Sequence, residues 1–399
     1  MNVPEIRFKG EQLFLKKQLK EIATINPKNA LPDFFEYVDL ESVVGTEMKK
    51  HRTEIKESAP SRAQRLANKG DIFFQTVRPY QQNNLYFDLD AKNFVFSTGY
   101  AQIRSKINSK YLFTILQQSN FLNQVLENCT GSSYPAINPS SLANLFLTIC
   151  DNEVVQQKLA SYFQSLDSLI QTTSKELASL KQIKAASLQS MFPQEGETVP
   201  KVRFKGFEGK WEKIKLNKCL DISNNINIHN TYGINDVLSI SDEAGVVNQI
   251  EFLGRSFAGK SLQKYKIFKT NQLVYTKSPL KAKPYGIIKK NFNRVGIVST
   301  LYAIYDCKDN ISSEFIHYYF DPCYRVNQYL SPLVNKGAKN TMNISDETAL
   351  SGEIWIPSLQ EQQKIASYFC NLDKQISLQT QRLEKLKQIK AACLDKMFV

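Results

Sequence analysis

Residues 158–192 read KLASYFQSLDSLIQTTSKELASLKQIKAASLQSMF, and residues 364–398 read KIASYFCNLDKQISLQTQRLEKLKQIKAACLDKMF. At this fixed offset of 206 residues, 19 of the 35 aligned positions are identical. Agreement at a single long period indicates an internal duplication, and such a repeat decides the architecture of a chain. We therefore predict two copies of one structural unit, each ending in this segment.

Both copies carry the pattern of a long helix. Mainly apolar residues recur in alternating steps of four and three, which is the 3.5-residue seam of a coiled coil. We expect the first helix to begin at Asp151 and the second after Ser358, where Ser358 and Glu361 fit a capping box. Each helix would then span about 40 residues, or about 60 Å.

The two seams have equal length and related sequences, which favours their pairing with each other over packing of each helix on its own domain. The pairing is antiparallel if the intervening domain returns the chain to its starting place. The residues that we predict to form the pair are Phe163, Leu166, Ile170, Leu177, Leu180, Phe369, Leu372, Ile376, Leu383 and Leu386. Thr173 and Gln379 occupy the middle of the two seams, where polar residues fix the register.

The sequence before each helix is also repeated, although more weakly. The openings VPEIRFKG at 3–10 and VPKVRFKG at 199–206 match, and strand-like runs occur at 71–76, 93–96, 272–276 and 295–305. Helical runs occur at 110–126 and 313–329. We predict a mixed α/β fold with a pseudo-two-fold repeat: a globular domain at 1–150, a helix at 151–193, a second globular domain at 194–353 and a second helix at 354–399.

Composition limits the class of protein. The 399 residues include 51 Lys and Arg against 38 Asp and Glu, so the net charge is +13, which points to a polyanionic partner. No apolar run approaches the roughly 20 residues that span a bilayer, and the opening lacks a signal peptide. Seven scattered cysteines without a C-x-x-C pair suit a reducing compartment. We expect a cytoplasmic protein with no metal site.

The positive charge is concentrated in one stretch. Residues 255–305 contain 11 Lys and Arg, interleaved with aromatic residues, and no Asp or Glu. This pattern is typical of a surface that follows phosphates, whereas a solvated lysine face usually mixes charges of both signs. In the first half, RPYQQNN at 78–84 follows a strand, and its Arg, Gln and Asn side chains suit the edges of G and A. A surface loop with no binding role can have the same composition.

Three short matches to enzyme motifs are weighed against this interpretation. Residues 254–261 (GRSFAGKS) fit the P-loop pattern, but a β-rich sequence follows where a helix is required. Asp33 with Glu54-Ile55-Lys56 fits the loose PD…ExK nuclease pattern, which often arises by accident. Residues 321–324 (DPCY) are one residue away from the DPPY of adenine methyltransferases, and no glycine-rich cofactor loop precedes them. We predict that none of the three is a working site.

The segments APSRAQRLANKGDIFFQTVRPY (59–80), STGYA (97–101) and GAKNTMNIS (337–345), together with the two repeated helices, closely resemble the specificity subunit of type I restriction–modification enzymes. The resemblance spans essentially the whole chain. The first half departs from the pattern at its opening, since KGEQLFLKKQL lacks the EGKW found at 208–211.

The resemblance implies a subunit that has no chemistry of its own. Each globular domain would be a target recognition domain that reads one half-site of a bipartite double-stranded DNA sequence, and the helices would set the spacer. Two methyltransferase subunits and the restriction subunits would dock on it. S-adenosylmethionine, ATP and Mg²⁺ would be bound by those partners and not by this chain.

By position in the resemblance, the DNA-binding residues would lie in loops after the repeated strands and in two glycine loops. They are Arg62, Thr76, Arg78, Tyr80, Gln81, Gln82, Ser132, Ser133, Lys277, Ser278, Lys281, Lys283, Tyr285, Lys289, Lys290, Lys336, Lys339 and Asn340. Two alternatives remain open: a stand-alone nuclease or P-loop NTPase that uses the short motifs, and a coiled-coil adaptor whose domains bind proteins.

Overall fold

A computed structural model describes residues 5–6, 14–259, 261–336 and 342–398. The chain divides into two compact units, which are Met1–Lys175 with Gln381–Val399, and Glu176–Thr380. We call them the first and the second unit. Helices and strands alternate in both, which confirms the predicted mixed α/β class. In the part of the chain described, no helix combines the length and the apolar character needed to cross a bilayer.

The first unit is built mainly from short strands, with one short helix after the first strand and the other helices after β11. Its strands are β1 Phe14–Gln18, β2 Ala23–Ile25, β3 Phe34–Val38, β4 Val43–Val44, β5 Glu47–Met48, β6 Arg52–Ile55, β7 Ala63–Leu66, β8 Ile72–Gln75, β9 Leu85–Tyr86, β10 Phe94–Ser97, β11 Tyr100–Ser105 and β12 Phe146–Cys150. Its helices are α1 Leu19–Ile22, α2 Ser109–Ile115, α3 Ser119–Glu127, α4 Pro139–Asn144 and the start of α5 Glu153–Ser190.

The second unit follows the same plan. Its strands are β13 Glu212–Lys215, β14 Leu220–Ile222, β15 Leu238–Ser241, β16 Gly245–Asn248, β17 Lys266–Phe268, β18 Leu273–Thr276, β19 Ile288–Lys290, β20 Gly296–Val298, β21 Tyr302–Cys307, β22 Asn335–Lys336, β23 Met342–Asn343 and β24 Glu353–Ile356. Its helices are α6 Gln249–Leu253, α7 Ser313–Tyr319, α8 Cys323–Leu330 and the start of α9 Leu359–Lys396.

The duplication is visible in the sheets. The order β2-β11-β8-β9 in the first unit corresponds to β14-β21-β18-β19 in the second, and both sheets are antiparallel. A two-stranded pair comes before each long helix, β1-β12 in one unit and β13-β24 in the other. The first unit adds a sheet β6-β3-β10-β7, in which β3 and β10 run parallel. The two units therefore share one framework and differ in what surrounds it.

Some predicted elements are divided in the structure. The run 313–329 forms α7 and α8, because Pro322 cannot donate a backbone hydrogen bond and disfavours helix at the residue before it. The run 110–126 likewise forms α2 and α3, and nothing in the local sequence at 116–118 explains the break. The run 295–305 forms β20 and β21, joined by a turn.

The two long helices begin 206 residues apart and have 38 residues each. The first begins at Glu153, capped by the Asn152 side chain, which accepts from the backbone N–H of Val154 at 2.9 Å. The expected start at Asp151 was therefore early. At α9 the Ser358 hydroxyl accepts from the Glu361 N–H at 3.4 Å, but the Glu361 carboxylate pairs with Arg203 at 2.7 Å. Only half of the predicted capping box forms.

The helices pair antiparallel within each unit. In the first unit the Tyr162 hydroxyl lies 3.3 Å from Cys393 Sγ, and Asp167 lies 2.6 Å from Lys390. Their repeat equivalents meet in the second unit: Tyr368 lies 2.9 Å from Ser187, and Asp373 lies 2.7 Å from Lys184. Of the predicted seam residues, Phe163, Leu166, Leu177, Phe369, Leu372 and Leu383 are buried, and Ile170, Leu180, Ile376 and Leu386 are partly buried. Coiled-coil packing along the whole seam stays a prediction.

The end of each long helix enters the core of a unit. Phe192, just after α5, packs on Phe315 and Phe369 in the second unit, with ring centroids 5.5 and 6.0 Å away. Phe398, its repeat equivalent, packs on Tyr111 and Phe163 in the first unit at 6.0 and 5.7 Å. The repeated Met-Phe that closes each segment therefore serves core packing.

Candidate nucleic-acid interface

A tight turn follows β8 in the first unit. Residues 79–81 form one 3₁₀ turn, and the residues on either side of it, Arg78 and Gln82, have left-handed backbones with φ of 53° and 52°. This conformation costs a residue with a Cβ about 1–2 kcal/mol. The turn is nevertheless held, because the buried side chain of Gln75 donates to Val77 O and to Gln81 Oε1 at 2.8 Å. The same side chain accepts from the Asn83 N–H at 3.1 Å.

A second loop lies against this turn. The Arg78 N–H donates to Pro135 O at 2.8 Å, and Thr130 and Ala136 exchange backbone hydrogen bonds that close the loop between them. Gly131 allows this second loop to reverse direction, since its φ is 86°. Ser132 and Ser133 are exposed at the tip. The structure thus brings together two segments, 78–82 and 132–133, that the sequence predicted separately.

The side chains of the two loops form one exposed polar and aromatic surface. Tyr80 is 51% exposed and Tyr134 is 64% exposed, and Gln81 and Gln82 are also exposed. The Arg78 guanidinium stacks on Tyr134, with 4.3 Å between its central carbon and the ring centroid. Within the residues that the structure describes, this guanidinium has no hydrogen-bond acceptor and no carboxylate partner. The sequence placed Tyr134 in a candidate glycine loop with Ser132 and Ser133, but its contact with Arg78 could not be predicted from the sequence.

Arg62 and Thr76 lie on either side of the turn between β10 and β11. The Thr76 side chain is buried, and its hydroxyl donates to Gly99 O at 2.8 Å, so it supports the turn from inside. The Arg62 backbone carbonyl accepts from the Thr98 N–H at 2.8 Å, while its side chain is exposed. Thr76 is therefore placed as a support, and Arg62 is placed on the surface.

In the second unit, the acid-free stretch does not form an acid-free surface. In the part of the chain that the structure describes, six of its 11 cations pair with carboxylates that come from other parts of the chain. Lys266 and Lys277 pair with Asp346, Lys283 and Lys289 with Asp242, Lys289 also with Asp321, Lys290 with Glu314, and Arg294 with Glu251. The expectation of a continuous phosphate-tracking stripe is corrected, because local sequence does not show which distant acids fold back on a basic run.

Three of the predicted DNA-binding lysines are buried. Lys283 is 4% exposed and Lys289 and Lys290 are 3% exposed, and a buried ammonium group needs a partner because it has lost its water. Burial alone would raise the pKa of Asp321, but Lys289 and Lys184 outweigh it and hold that pKa well below its usual value. The carboxylate therefore stays ionised at neutral pH. These lysines are placed as supports beneath the loop and not on its surface.

Burial also acts on the histidine beside this cluster. The His317 ring is packed against Phe292 and Tyr318, with centroids 5.2 and 4.9 Å away. Burial, assisted by the nearby charge of Lys289, lowers the pKa of His317 to about 3. The ring is consequently neutral at physiological pH and adds no charge to the ion-pair cluster.

The exposed part of the second unit's loop is small. Ser278 and Lys281 are exposed, and Lys281 has no ion pair among the described residues. Gly286 lets the loop return, since its φ is 94° and a Cβ there would lie 1.9 Å from Thr276 O. The carbonyl of Tyr285 accepts from the Tyr275 hydroxyl at 2.8 Å. The Lys336 side chain, Lys339 and Asn340 lie outside the described residues.

The structure gives the enzyme motifs no suitable context. Gly254 ends α6, and β17 is the next element, so no helix follows the P-loop-like sequence; its Lys260 lies outside the described residues. Glu54 of the nuclease-like pattern pairs with Arg52 at 2.6 Å. Asp321 is held by lysines. Across the described ranges, no three His, Cys, Asp or Glu side chains are grouped as metal ligands.

These features define a class: a duplicated α/β protein whose units each close on antiparallel helices and present polar loops. Residues 214–388 match the family model described as the type I restriction modification DNA specificity domain. Residues 214–388 are therefore similar to the domain of this family, and the match confirms the resemblance seen in the sequence.

Individual relatives agree with the family match. The type I restriction enzyme HindI specificity subunit of Haemophilus influenzae is 30% identical over 139 residues, which cover 33% of this chain and only 30% of that relative's length. The solved S subunit of a type I restriction–modification system from M. genitalium is 11% identical, with a TM-score of 0.64 over 100% of this chain and 99% of its own. A structure from work on type I system assembly and conformational transition is 19% identical, with a TM-score of 0.50 over 96% and 97%. These two structures establish a shared fold.

Proposed function

We propose that this chain is the DNA sequence-specificity subunit of a type I restriction–modification complex. It acts in the cytoplasm and has no chemistry of its own. Each unit reads one half-site of a bipartite double-stranded target, and the paired helices set the spacer between the half-sites. The recognition domains correspond to 1–150 and 194–353, and the spacer helices to 151–193 and 354–399.

The observation that carries this proposal is the duplication of one arrangement. The contact of Tyr162 with Cys393 and that of Tyr368 with Ser187 are the same contact with the two helices exchanged. The sheet order of one unit is likewise repeated in the other. A protein that presents the same framework twice suits a ligand with two half-sites, as dimeric DNA-binding proteins suit two-part operators.

The residues proposed to contact DNA fall into two groups. Those at the surface contact the duplex directly: Arg78, which is partly buried, and the exposed residues Arg62, Tyr80, Gln81, Gln82, Ser132, Ser133, Ser278 and Lys281. The second group supports the loops through hydrogen bonds and ion pairs within the protein: Thr76, Lys277, Lys283, Lys289 and Lys290. Tyr285, Lys336, Lys339 and Asn340 remain proposed contacts on the family resemblance alone.

The long helices also supply two equivalent docking surfaces. The identical segment LKQIKAA occurs in both, and it leaves Ile183 47% exposed and Ile389 38% exposed. Two copies of one exposed surface suit two copies of one partner. We assign them to two methyltransferase subunits, which would carry S-adenosylmethionine, with restriction subunits supplying ATP- and Mg²⁺-dependent steps.

Sequencing of methylated adenines tests the function directly. The chain is produced together with its methyltransferase partner in a host that lacks adenine methylation. We expect one two-part motif with a fixed spacer, and no methylation when either protein is omitted. A single uninterrupted motif would contradict the proposal. Metal-dependent cutting of DNA by the purified chain alone would instead support a nuclease, and assembly without DNA binding would support an adaptor.

A further inference from the structure

The turn beside Tyr134 has an unusual backbone. Among the described residues, those other than Gly with positive φ are Asn26, Arg78, Gln82, Asn230 and Asn271. Asn tolerates this conformation because its short side chain hydrogen-bonds locally, whereas Arg and Gln gain no such compensation. Arg78 and Gln82, the two residues without this compensation, therefore flank one three-residue turn. Backbone strain of this kind concentrates where a side chain must be presented in a defined direction.

The strain is maintained by a buried amide. Gln75 is 2% exposed, and its side chain makes three hydrogen bonds to the chain between Val77 and Asn83. The backbone N–H of Gln75 donates to the Asn84 side chain at 2.8 Å. The whole turn is therefore fixed from inside the unit, and Arg78 is presented from a rigid support.

The Arg78 side chain is also held by a contact with Tyr134, and it makes no hydrogen bond or ion pair among the described residues. The central carbon of its guanidinium lies over the Tyr134 ring, 4.3 Å from the centroid, so the ring restricts the movement of the group. Its five N–H donors have no acceptor among the described residues. Some other arginines in the unit are paired with carboxylates. Arg52, for example, pairs with both Asp39 and Glu54. A planar fork that is stacked, oriented and unpaired is ready to donate two parallel hydrogen bonds to a ligand.

We propose that Arg78 reads a guanine in the half-site of the first unit, through paired hydrogen bonds to the O6 and N7 edge. Tyr134 is a positioning residue that keeps the guanidinium in the plane of the base. A bidentate arginine is the commonest specific contact to guanine in the major groove, and it depends on the orientation of the guanidinium fork. The inference rests on the proposed function and deepens it by naming one base of the target.

The test measures methylation by the complete complex on duplexes in which each position of the first half-site is varied. The wild type is expected to prefer guanine about 10- to 100-fold at one position. Arg78→Ala should abolish that preference there, Arg78→Lys should weaken it, and both should leave the second half-site unchanged. Arg78→Lys retains the charge but loses the fork, so the salt dependence of binding should stay the same. Tyr134→Ala should reduce the preference, and Tyr134→Phe should retain it because the ring remains.

Lys69→Ala is the matched control, since it removes one exposed positive charge from the same unit. It should leave the preference at every position unchanged. Equal weakening of all sequences by Arg78→Ala would overturn the inference, because that is the behaviour of a phosphate contact. A first half-site without guanine on either strand would overturn it as well. If the wild-type complex yields no two-part motif, the proposed function itself fails, which is a separate outcome.

Discussion

Lys281 and Lys283 are two residues apart in one basic stretch, yet they are placed differently. Lys281 is exposed without an ion pair among the described residues, whereas Lys283 is buried, 2.6 Å from Asp242 and 2.8 Å from the carbonyl of Asp321. The sequence predicted both as surface residues, because Asp242 and Asp321 are distant along the chain. Charge content could be predicted from the sequence, but charge pairing depends on the fold.

Alanine substitutions should distinguish the roles of Lys281 and Lys283. Lys281→Ala should leave the melting temperature unchanged, weaken all DNA sequences alike and reduce the slope of log affinity against log salt by about 0.9. Lys283→Ala should destabilise the protein by about 2 kcal/mol, because it removes a buried partner of Asp242. Thermal unfolding and salt-dependent binding measure both effects. Unchanged unfolding of Lys283→Ala would contradict its supporting role.

At the scale of the elements, periodicity was the reliable signal. The seam of alternating fours and threes predicted two long helices whose starts the structure places at Glu153 and Leu359. Shorter helices were predicted less well. Helices α7 and α8 were merged although Pro322 marks the break, and the Glu361 carboxylate was assigned to a cap although it pairs with Arg203. A local pattern does not reveal a competing partner from another part of the chain.

The antiparallel register gives a charge-exchange test. Asp167→Lys places two positive charges side by side with Lys390, which should destabilise the protein by about 1–2 kcal/mol. Adding Lys390→Asp restores opposite charges, and the melting temperature should recover in large part. Lys387→Asp is the control, since Lys387 is exposed and its ion pair among the described residues is with Glu384 on its own helix. If the double variant melts no higher than Asp167→Lys, the register is wrong.

At the scale of the whole molecule, duplication could be predicted from the sequence, but the way each core is completed could not. The identical Met-Phe pairs at 191–192 and 397–398 are visible in the repeat, and their partners are not. Phe192 packs in the core of the second unit and Phe398 in that of the first. Contacts of this kind join residues that are far apart in the chain, which no local pattern records.

The two phenylalanines should affect different units. Phe398→Ala should destabilise the first unit and Phe192→Ala the second, each by about 3–5 kcal/mol, because each leaves a cavity among buried rings. Hydrogen exchange followed by mass spectrometry assigns the loss of protection to one unit. Leu169→Ala and Leu378→Ala, at positions 38% and 56% exposed, are the controls and should change little. Loss of protection spread equally over both units would contradict the assignment.

The position of Phe398 also affects how the protein is made. Tyr111 is translated 287 residues before Phe398, the ring that packs against it. At about 5–20 residues per second, the ribosome needs about 15–60 seconds to cover that distance. During this time the nascent first unit holds an incompletely covered apolar surface, which exposes it to chaperones and to aggregation. Phe192, by contrast, leaves the ribosome before the aromatic partners that it will meet.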